Sequence, residues 1–237
     1  MNFLVDKYCF MNEYISIFMS SYDIALYKDE LFYSLGIMMP EELNHSVFKR
    51  RADFLAGRYV AKKAIRELRH DVYDVHLGSD RAPIWPTGII GSISHSNSIA
   101  ISVVSLKEDN QYLGVDIESF IGEDIAFEIK NQIINKQEEI TLNSSGLPFC
   151  ICLTLAFSAK ESIYKAMYPK VKRYFDFSDV NIINLCLTRK IILLEVVSEI
   201  PEVLGVGKYF ECIFSIESSY VLTLVSEQVN FSWERLV

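Results

Sequence analysis

A chain of 237 residues is long enough to bury a substantial core, as one domain or two small ones, and its 50 % apolar and 13 % aromatic content excludes a disordered segment. The formal net charge of −8 excludes a general nucleic-acid binder, which would carry a basic surface. Any phosphate-bearing ligand must therefore meet a local basic cluster.

The N-terminus is apolar, but Asp6, Lys7, Glu13 and Asp23 interrupt it before a run of ~20 apolar residues can form, and it lacks a basic leader region. No membrane span is expected, and the protein is read as cytoplasmic. The five cysteines (Cys9, Cys150, Cys152, Cys186, Cys212) include no C-x-x-C pair and the histidines are scattered, so no zinc site is legible and reduced thiols are expected. From Pro40 to about His70 the apolar positions, among them Phe48, Leu55, Tyr59 and Leu68, recur at helical steps. Eight of the 23 Lys and Arg fall in this stretch: Lys49, Arg50, Arg51, Arg58, Lys62, Lys63, Arg66 and Arg69. The run reads equally as a solvated helix face and as a clamp on a phosphate-rich ligand.

Asp80 to Gly91 is rich in Pro and Gly and predicts an extended loop. Strands are predicted at Ile89–Ser94, Ser98–Val104 and Tyr112–Glu118, then a helix over Glu123–Leu142 and another from Cys150 to Met167, stopped by Pro169. Strand patterns return at Val180–Leu187, Ile191–Val197, Tyr209–Ile216 and Tyr220–Ser226. Helix followed by strands, twice over, predicts an α+β architecture of two comparable halves, 1–112 and 113–237.

In Gly114-Val115-Asp116-Ile117-Glu118, strand alternation puts Asp116 and Glu118 on one face, able to grip one cation, with Gly114 leaving room for a ligand. Oxygen donors without nearby His or Cys favour Mg²⁺, with Mn²⁺ as the alternative, over zinc. On the last long helix, Lys160, Glu161, Tyr164 and Lys165 share an arc of ~140°. By itself that set reads also as a surface Glu161–Lys165 pair. Arg81 offers a fork to phosphate, and Ser94 and His95 add donors at a strand end.

Four segments carry a resemblance: R-R-x-x-F-L-A-G-R at Arg50–Arg58, R-x-P-x-W-P-x-G-x-x-G-S-x-S-H at Arg81–His95, G-V-D-I-E at 114–118 and F-x-x-K-E-x-x-Y-K at 157–165. In this order they resemble the phosphopantetheinyl transferase superfamily, its Sfp-like branch and the enterobactin-synthase component D type. The resemblance spans roughly Phe48 to Asp179; the first 40 and last 50 residues contribute little. It departs at Phe157, where many relatives carry Trp.

The resemblance implies a pseudo-twofold fold of two similar halves, each a helix on a small, mostly antiparallel sheet, with the active site in the cleft between them and a monomeric chain. It implies coenzyme A as donor, an apo carrier protein (peptidyl, aryl or acyl) as acceptor, and siderophore or other nonribosomal peptide biosynthesis as the setting. Asp116, Glu118 and Glu161 fall on its metal positions. Arg50 or Arg51, Arg58, Arg81, Ser94, His95 and Lys165 fall on positions that hold the coenzyme, and Asp116 counts in that set too. Glu118, Lys160 and Glu161 form the catalytic set, with either Glu118 or a metal-bound water taking the serine proton. The rivals are a metal-dependent hydrolase of coenzyme A or a nucleotide pyrophosphate, and a non-catalytic coenzyme-binding module.

Overall fold

The computed structural model describes residues 2–68 and 74–228, and leaves the side chains of Tyr8, Cys9 and Val203 undescribed. Arg69 and His70, the end of the expected first helix and of the basic run, lie outside the described residues. The chain divides into two compact units, Met1–Leu113 and Gly114–Val237. Each is a long helix laid on an antiparallel sheet, so the α+β reading with two similar halves holds.

In the first unit, β1 (Leu4–Met11) and β2 (Ile15–Tyr22) form a hairpin whose turn is held by Asn12, its Oδ1 accepting from the Tyr14 and Ile15 amides at 2.8 and 2.7 Å. After a short helix α1 (Glu30–Ser34) comes α2 (Phe48–Glu67), then a two-residue ladder of β3 (His76–Leu77) and β4 (Pro83–Ile84), and the hairpin of β5 (Ile89–Ser96) and β6 (Ile99–Leu106). The sheet order is β1-β2-β6-β5, all antiparallel. Helix α2 starts at Phe48; the stretch before it has only a 3₁₀ turn at Glu41–Leu43, so the helix expected from Pro40 is eight residues shorter at its start. It buries Ala52 through Arg58 without a break, with Val60, Ala61, Ala64 and Ile65. Helices with small residues on so much of their circumference can lie close on a sheet.

The first 40 residues, nearly silent as a sequence, supply two of four strands and most of the partners of the basic run. Asp29 takes Arg51 at 2.5 Å, Asp6 takes Lys63 at 3.8 Å, and the Gly36 carbonyl takes Lys62, which also meets Asp74 at 3.3 Å. Tyr22 from β2 donates to Asp53 at 2.7 Å, which in turn pairs Lys49 at 2.9 Å.

The second unit holds β7 (Leu113–Ser119), α3 (Glu123–Ile133), α4 (Lys136–Asn143), α5 (Phe149–Val171), β8 (Val180–Cys186), β9 (Ile191–Val196), α6 (Ile200–Leu204), β10 (Tyr209–Ile216) and β11 (Tyr220–Ser226). Its sheet runs β7-β11-β10-β9-β8, and α5 packs on β11 and β10. The single helix expected over Glu123–Leu142 is two: Ile134 turns extended, and Asn135 caps α4 in a reciprocal box with Glu138. Asn135 Oδ1 accepts from the Glu138 amide at 3.0 Å while Glu138 Oε2 accepts from the Asn135 amide at 2.8 Å. Helix α5 also runs through Pro169 to Val171, ending where Lys172 turns left-handed (φ 52°). A proline this near the C-terminus forgoes one helical hydrogen bond, which the packing of the preceding turns on the sheet outweighs.

Candidate active site

Strand β7 and helix α5 bring Asp116 and the helix motif together. A Cβ on Gly114 would sit 2.0 Å from the Ser162 carbonyl oxygen and 2.7 Å from the Ala166 nitrogen. Gly114 therefore does not leave room for a ligand, as its sequence context suggests; the backbone of α5 fills that room. Ser158 and Ser162 hold the same helix face to β11 through Thr223, with hydroxyl contacts of 2.8 Å each. Because residues two apart share a strand face, Asp116 lies on the face against which α5 is pressed.

Asp116 is accordingly only 1 % exposed, rather than emerging into solvent, and Lys165 reaches it at 2.5 Å. Glu161, one turn earlier on α5, is held above the ordinary carboxylate range first by burial; the Lys165 ammonium opposes this and the Asp116 carboxylate adds to it. Asp116 and Glu161 thus lie close enough to feel each other's charge, with Lys165 between the two in effect. Glu118 is half-buried further along β7.

Lys160 points elsewhere. Its ammonium is buried and donates to Glu138 at 2.7 Å, to the Ile133 carbonyl at 2.8 Å and to the Phe177 carbonyl at 2.9 Å. Glu138, also buried, accepts the Ile182 amide of β8 at 2.9 Å. Beside this pair is a pocket of about 110 Å³, walled by Lys160, Glu161 and Tyr164 on α5 and by Tyr174, Phe175, Asp176 and Phe177 opposite. Glu138 escapes a motif-based reading; the N-x-x-E spacing of Asn135 and Glu138 marks its cap but not its second role.

In the first unit, Arg50 and Arg51 separate. Arg51 is taken by Asp29, whereas Arg50 is exposed and has no ion-pair partner among the described residues. Arg58, two turns on, is 8 % exposed, lies 4.3 Å over the Phe54 ring and donates to the His76 carbonyl at 3.4 Å. Burial, with Arg50 adding repulsion, pushes Arg58 down to about 10, and no carboxylate offsets it. Arg81 is exposed at the tip of the β3–β4 ladder, in a left-handed conformation (φ 65°). Ser94 is buried and His95 half-buried near the end of β5, paired with Ile101 and Ala100 of β6. The His95 Nδ1 lies 4.0 Å from Asp53, a carboxylate the motifs did not single out.

Among the described residues no three His, Cys, Asp or Glu side chains gather as a ready-made metal cage. The donor chemistry fits a hard divalent ion all the same. Mg²⁺ is commonly held by one or two carboxylates, with waters and substrate phosphates completing its shell, and Asp116 and Glu161 are two such carboxylates in each other's field. Among the described residues no helix is long and apolar enough to cross a membrane, and Cys150, Cys152, Cys186 and Cys212 are free thiols.

A family model described as 4′-phosphopantetheinyl transferase N-terminal domain matches residues 39–105, and one described as 4′-phosphopantetheinyl transferase superfamily matches residues 112–225. The chain is similar to Enterobactin synthase component D of Salmonella typhi, 46 % identical over 123 residues covering 52 % of this chain and 50 % of that protein. It is similar to Enterobactin synthase component D of Escherichia coli O157:H7, 40 % identical over 143 residues (60 % and 66 % of the two chains). The 4′-phosphopantetheinyl transferase Npt of Nocardia iowensis is 31 % identical over 139 residues (58 % and 60 %). The chain thus spans about half the length of the Salmonella relative it matches and under two thirds of the Nocardia one.

Proposed function

Because the chain belongs to the 4′-phosphopantetheinyl transferase superfamily, we propose that it is an enzyme that moves the phosphopantetheine arm of coenzyme A onto a serine of an apo carrier protein, releasing adenosine 3′,5′-bisphosphate. The observation that carries this reading is the pairing of a buried Asp116 with Lys165 and with the Glu161 charge, on two segments that bear the family motifs.

The reaction asks the protein to neutralise phosphoryl charge, align the reactants and remove a proton. Asp116, Glu118 and Glu161 are the residues that would hold Mg²⁺ or Mn²⁺, and the ion would supply Lewis-acid charge to the pyrophosphate oxygens. Lys165, within reach of Asp116, brings a further positive charge to the same place. Glu118 takes the serine proton as Oγ bonds to the β-phosphorus and the bond from that phosphorus to the bridging oxygen breaks. Arg50 and Arg58, with Arg81, Ser94 and His95, hold the phosphates and adenosine. The choice of Arg50 over Arg51 is supported by the commitment of Arg51 to Asp29. Arg58 is a buried cation lacking a carboxylate partner, which an anionic ligand would relieve.

Similarity to proteins named Enterobactin synthase component D supports siderophore or other nonribosomal peptide biosynthesis as the setting. Free thiols suit the reducing cytoplasm. The test is incubation with coenzyme A, Mg²⁺ and a panel of apo carrier proteins, followed by intact-mass measurement of the carriers. One added phosphopantetheine per carrier is the expected result. Adenosine bisphosphate release with unmodified carriers would instead reveal a hydrolase. Glu118→Gln should reduce turnover steeply while coenzyme A still binds.

A further inference from the structure

We propose that Glu138 is a positioning residue of the active site, which acts through the buried ammonium of Lys160 to hold the Tyr174–Phe177 segment in place as the wall of the pocket beside Glu161. A lysine has three protons to donate, and Lys160 sends one each to Glu138, to the Ile133 carbonyl at the end of α3 and to the Phe177 carbonyl. Its side chain is 1 % exposed and that of Glu138 3 %. A buried ammonium so fully engaged is fixed in orientation and has no donor left for a phosphate.

Glu138 is the part of this set that carries the compensating charge, and it is itself fixed from two sides. One oxygen closes the α4 capping box at the Asn135 amide, and the other accepts both Lys160 and the Ile182 amide of β8. Five pieces of the unit therefore meet at one ion pair: the end of α3, the start of α4, β8, α5 and the Phe177 turn. Within the wall Asp176 caps the Phe177 turn, its Oδ1 accepting from the Ser178 amide at 2.8 Å, and toward α5 the wall makes ring contacts, Tyr164 with Tyr174 and Phe175 at 5.9 and 5.0 Å and Phe157 with Phe177 at 5.4 Å. Ring pairs prefer offset or edge-to-face geometry, but they act between side chains, so they hold the wall against α5 without fixing its backbone. The Lys160 hydrogen bond to the Phe177 carbonyl supplies the direction.

Glu161 is the neighbour of Lys160 on α5 and lines the same pocket. A ligand group between that carboxylate and the wall is aligned only as well as the wall is. The consequence for turnover rests on the transferase reading; the tie itself rests on the geometry alone. Because Arg50 and Arg58 hold the coenzyme phosphates in that reading, loosening the wall should be felt in kcat rather than in the KM for coenzyme A.

The test is the neutral double variant Glu138→Gln/Lys160→Met, which keeps an amide-accepting oxygen at position 138 and avoids stranding a buried charge, alongside Glu138→Gln alone. The more exposed pair Lys130→Met/Glu139→Gln, which joins α3 to α4 beside the buried pair, is the control. Two readouts are taken: steady-state transfer to a carrier protein, and the rate of tryptic cleavage after Lys172 and Arg173, which immediately precede the wall. The double variant should melt like the native protein, lose about ten- to a hundredfold in kcat with KM for coenzyme A changed less than about threefold, and be cut about tenfold faster at Lys172 or Arg173. The control should match the native chain in both readouts. Native cleavage rates in the double variant, or an unchanged kcat, would overturn the proposal. Should the native chain transfer nothing to any carrier, the transferase reading fails on its own, and the cleavage rates still decide the tie in either direction.

Discussion

Replacing Arg58 with Met should stabilise the ligand-free protein and abolish its response to coenzyme A. Arg58 is 8 % exposed and is pushed down to about 10 by burial and by Arg50. A depression of that size costs about 3 kcal/mol while the group stays charged, at 1.36 kcal/mol per pH unit. Against it stand the Phe54 ring, at about 1 to 2 kcal/mol, and a long hydrogen bond to the His76 carbonyl at under about 1 kcal/mol. About 1 kcal/mol of net cost remains, and Met keeps a flexible stem over Phe54 without the charge. The Arg58→Met substitution would then raise the melting temperature by about 2 to 4 °C. The sign with pH follows from a base whose pKa is lower in the folded state: the penalty is complete below about 10 and fades as pH rises through that value, so the gain is constant near neutrality. Thermal melts with and without coenzyme A, and calorimetric titration of coenzyme A without metal, provide the assay. A variant that is destabilised yet binds coenzyme A as the native chain does would refute the reasoning, since Arg58 would then be a packing residue.

Three further outcomes are expected. Gly114→Ala should cost about 3 kcal/mol or more in urea unfolding, because its Cβ would lie 2.0 Å from a helix carbonyl and neither backbone can yield cheaply. Asp29→Asn should release Arg51 beside Arg50, lower the KM for coenzyme A by about two- to threefold at low salt, and lose that effect at high salt, in steady-state assays at two ionic strengths. Burial raises the Glu161 pKa, so the penalty on its charged form is present above that pKa and is lost as pH falls through it; Glu161→Gln should therefore raise the melting temperature at pH 8, by an amount that shrinks on acidification, in a series of melts across pH.

The strands of both sheets after residue 88 were legible because their alternation is strong, and their observed ends fall within two residues of those expected. The β1–β2 hairpin was not. Strand β2 reads Ile-Ser-Ile-Phe-Met-Ser-Ser-Tyr, and it lies between β1 and β6 with serines as well as apolar residues buried, so it lacks a clean apolar and polar alternation. The break at Ile134 was legible in principle, from the N-x-x-E signature at Asn135, but the apolar period carries on across it. The burial of Asp116 and the filling of the space at Gly114 belong to tertiary packing, which strand alternation cannot reveal: it assigns a face, and says nothing about what covers that face.

Helix α2 and helix α5 solve the same electrostatic problem. On the transferase reading, an acidic chain that handles a polyanion has to keep a few cations available while preventing the rest from repelling one another. On α2, Lys49, Arg51, Lys62 and Lys63 are bound by Asp53, Asp29, Asp74 and Asp6; among the described residues Arg50, Arg58 and Arg66 have no carboxylate partner, and of these Arg50 and Arg58 are the motif positions that the proposed reading assigns to the coenzyme. On α5, Lys160 is spent on Glu138, while Lys165 stays at the Asp116 and Glu161 carboxylates. The acids that do this sorting are not specified motif positions: they lie in the first 36 residues, at Asp53 (an open position within the Arg50–Arg58 motif), at Asp74 and at Glu138. A motif identifies which cations the chemistry needs; the unremarkable acids around it determine which of them are free to act, and substitutions at those acids should alter coenzyme affinity without touching a residue that meets the coenzyme.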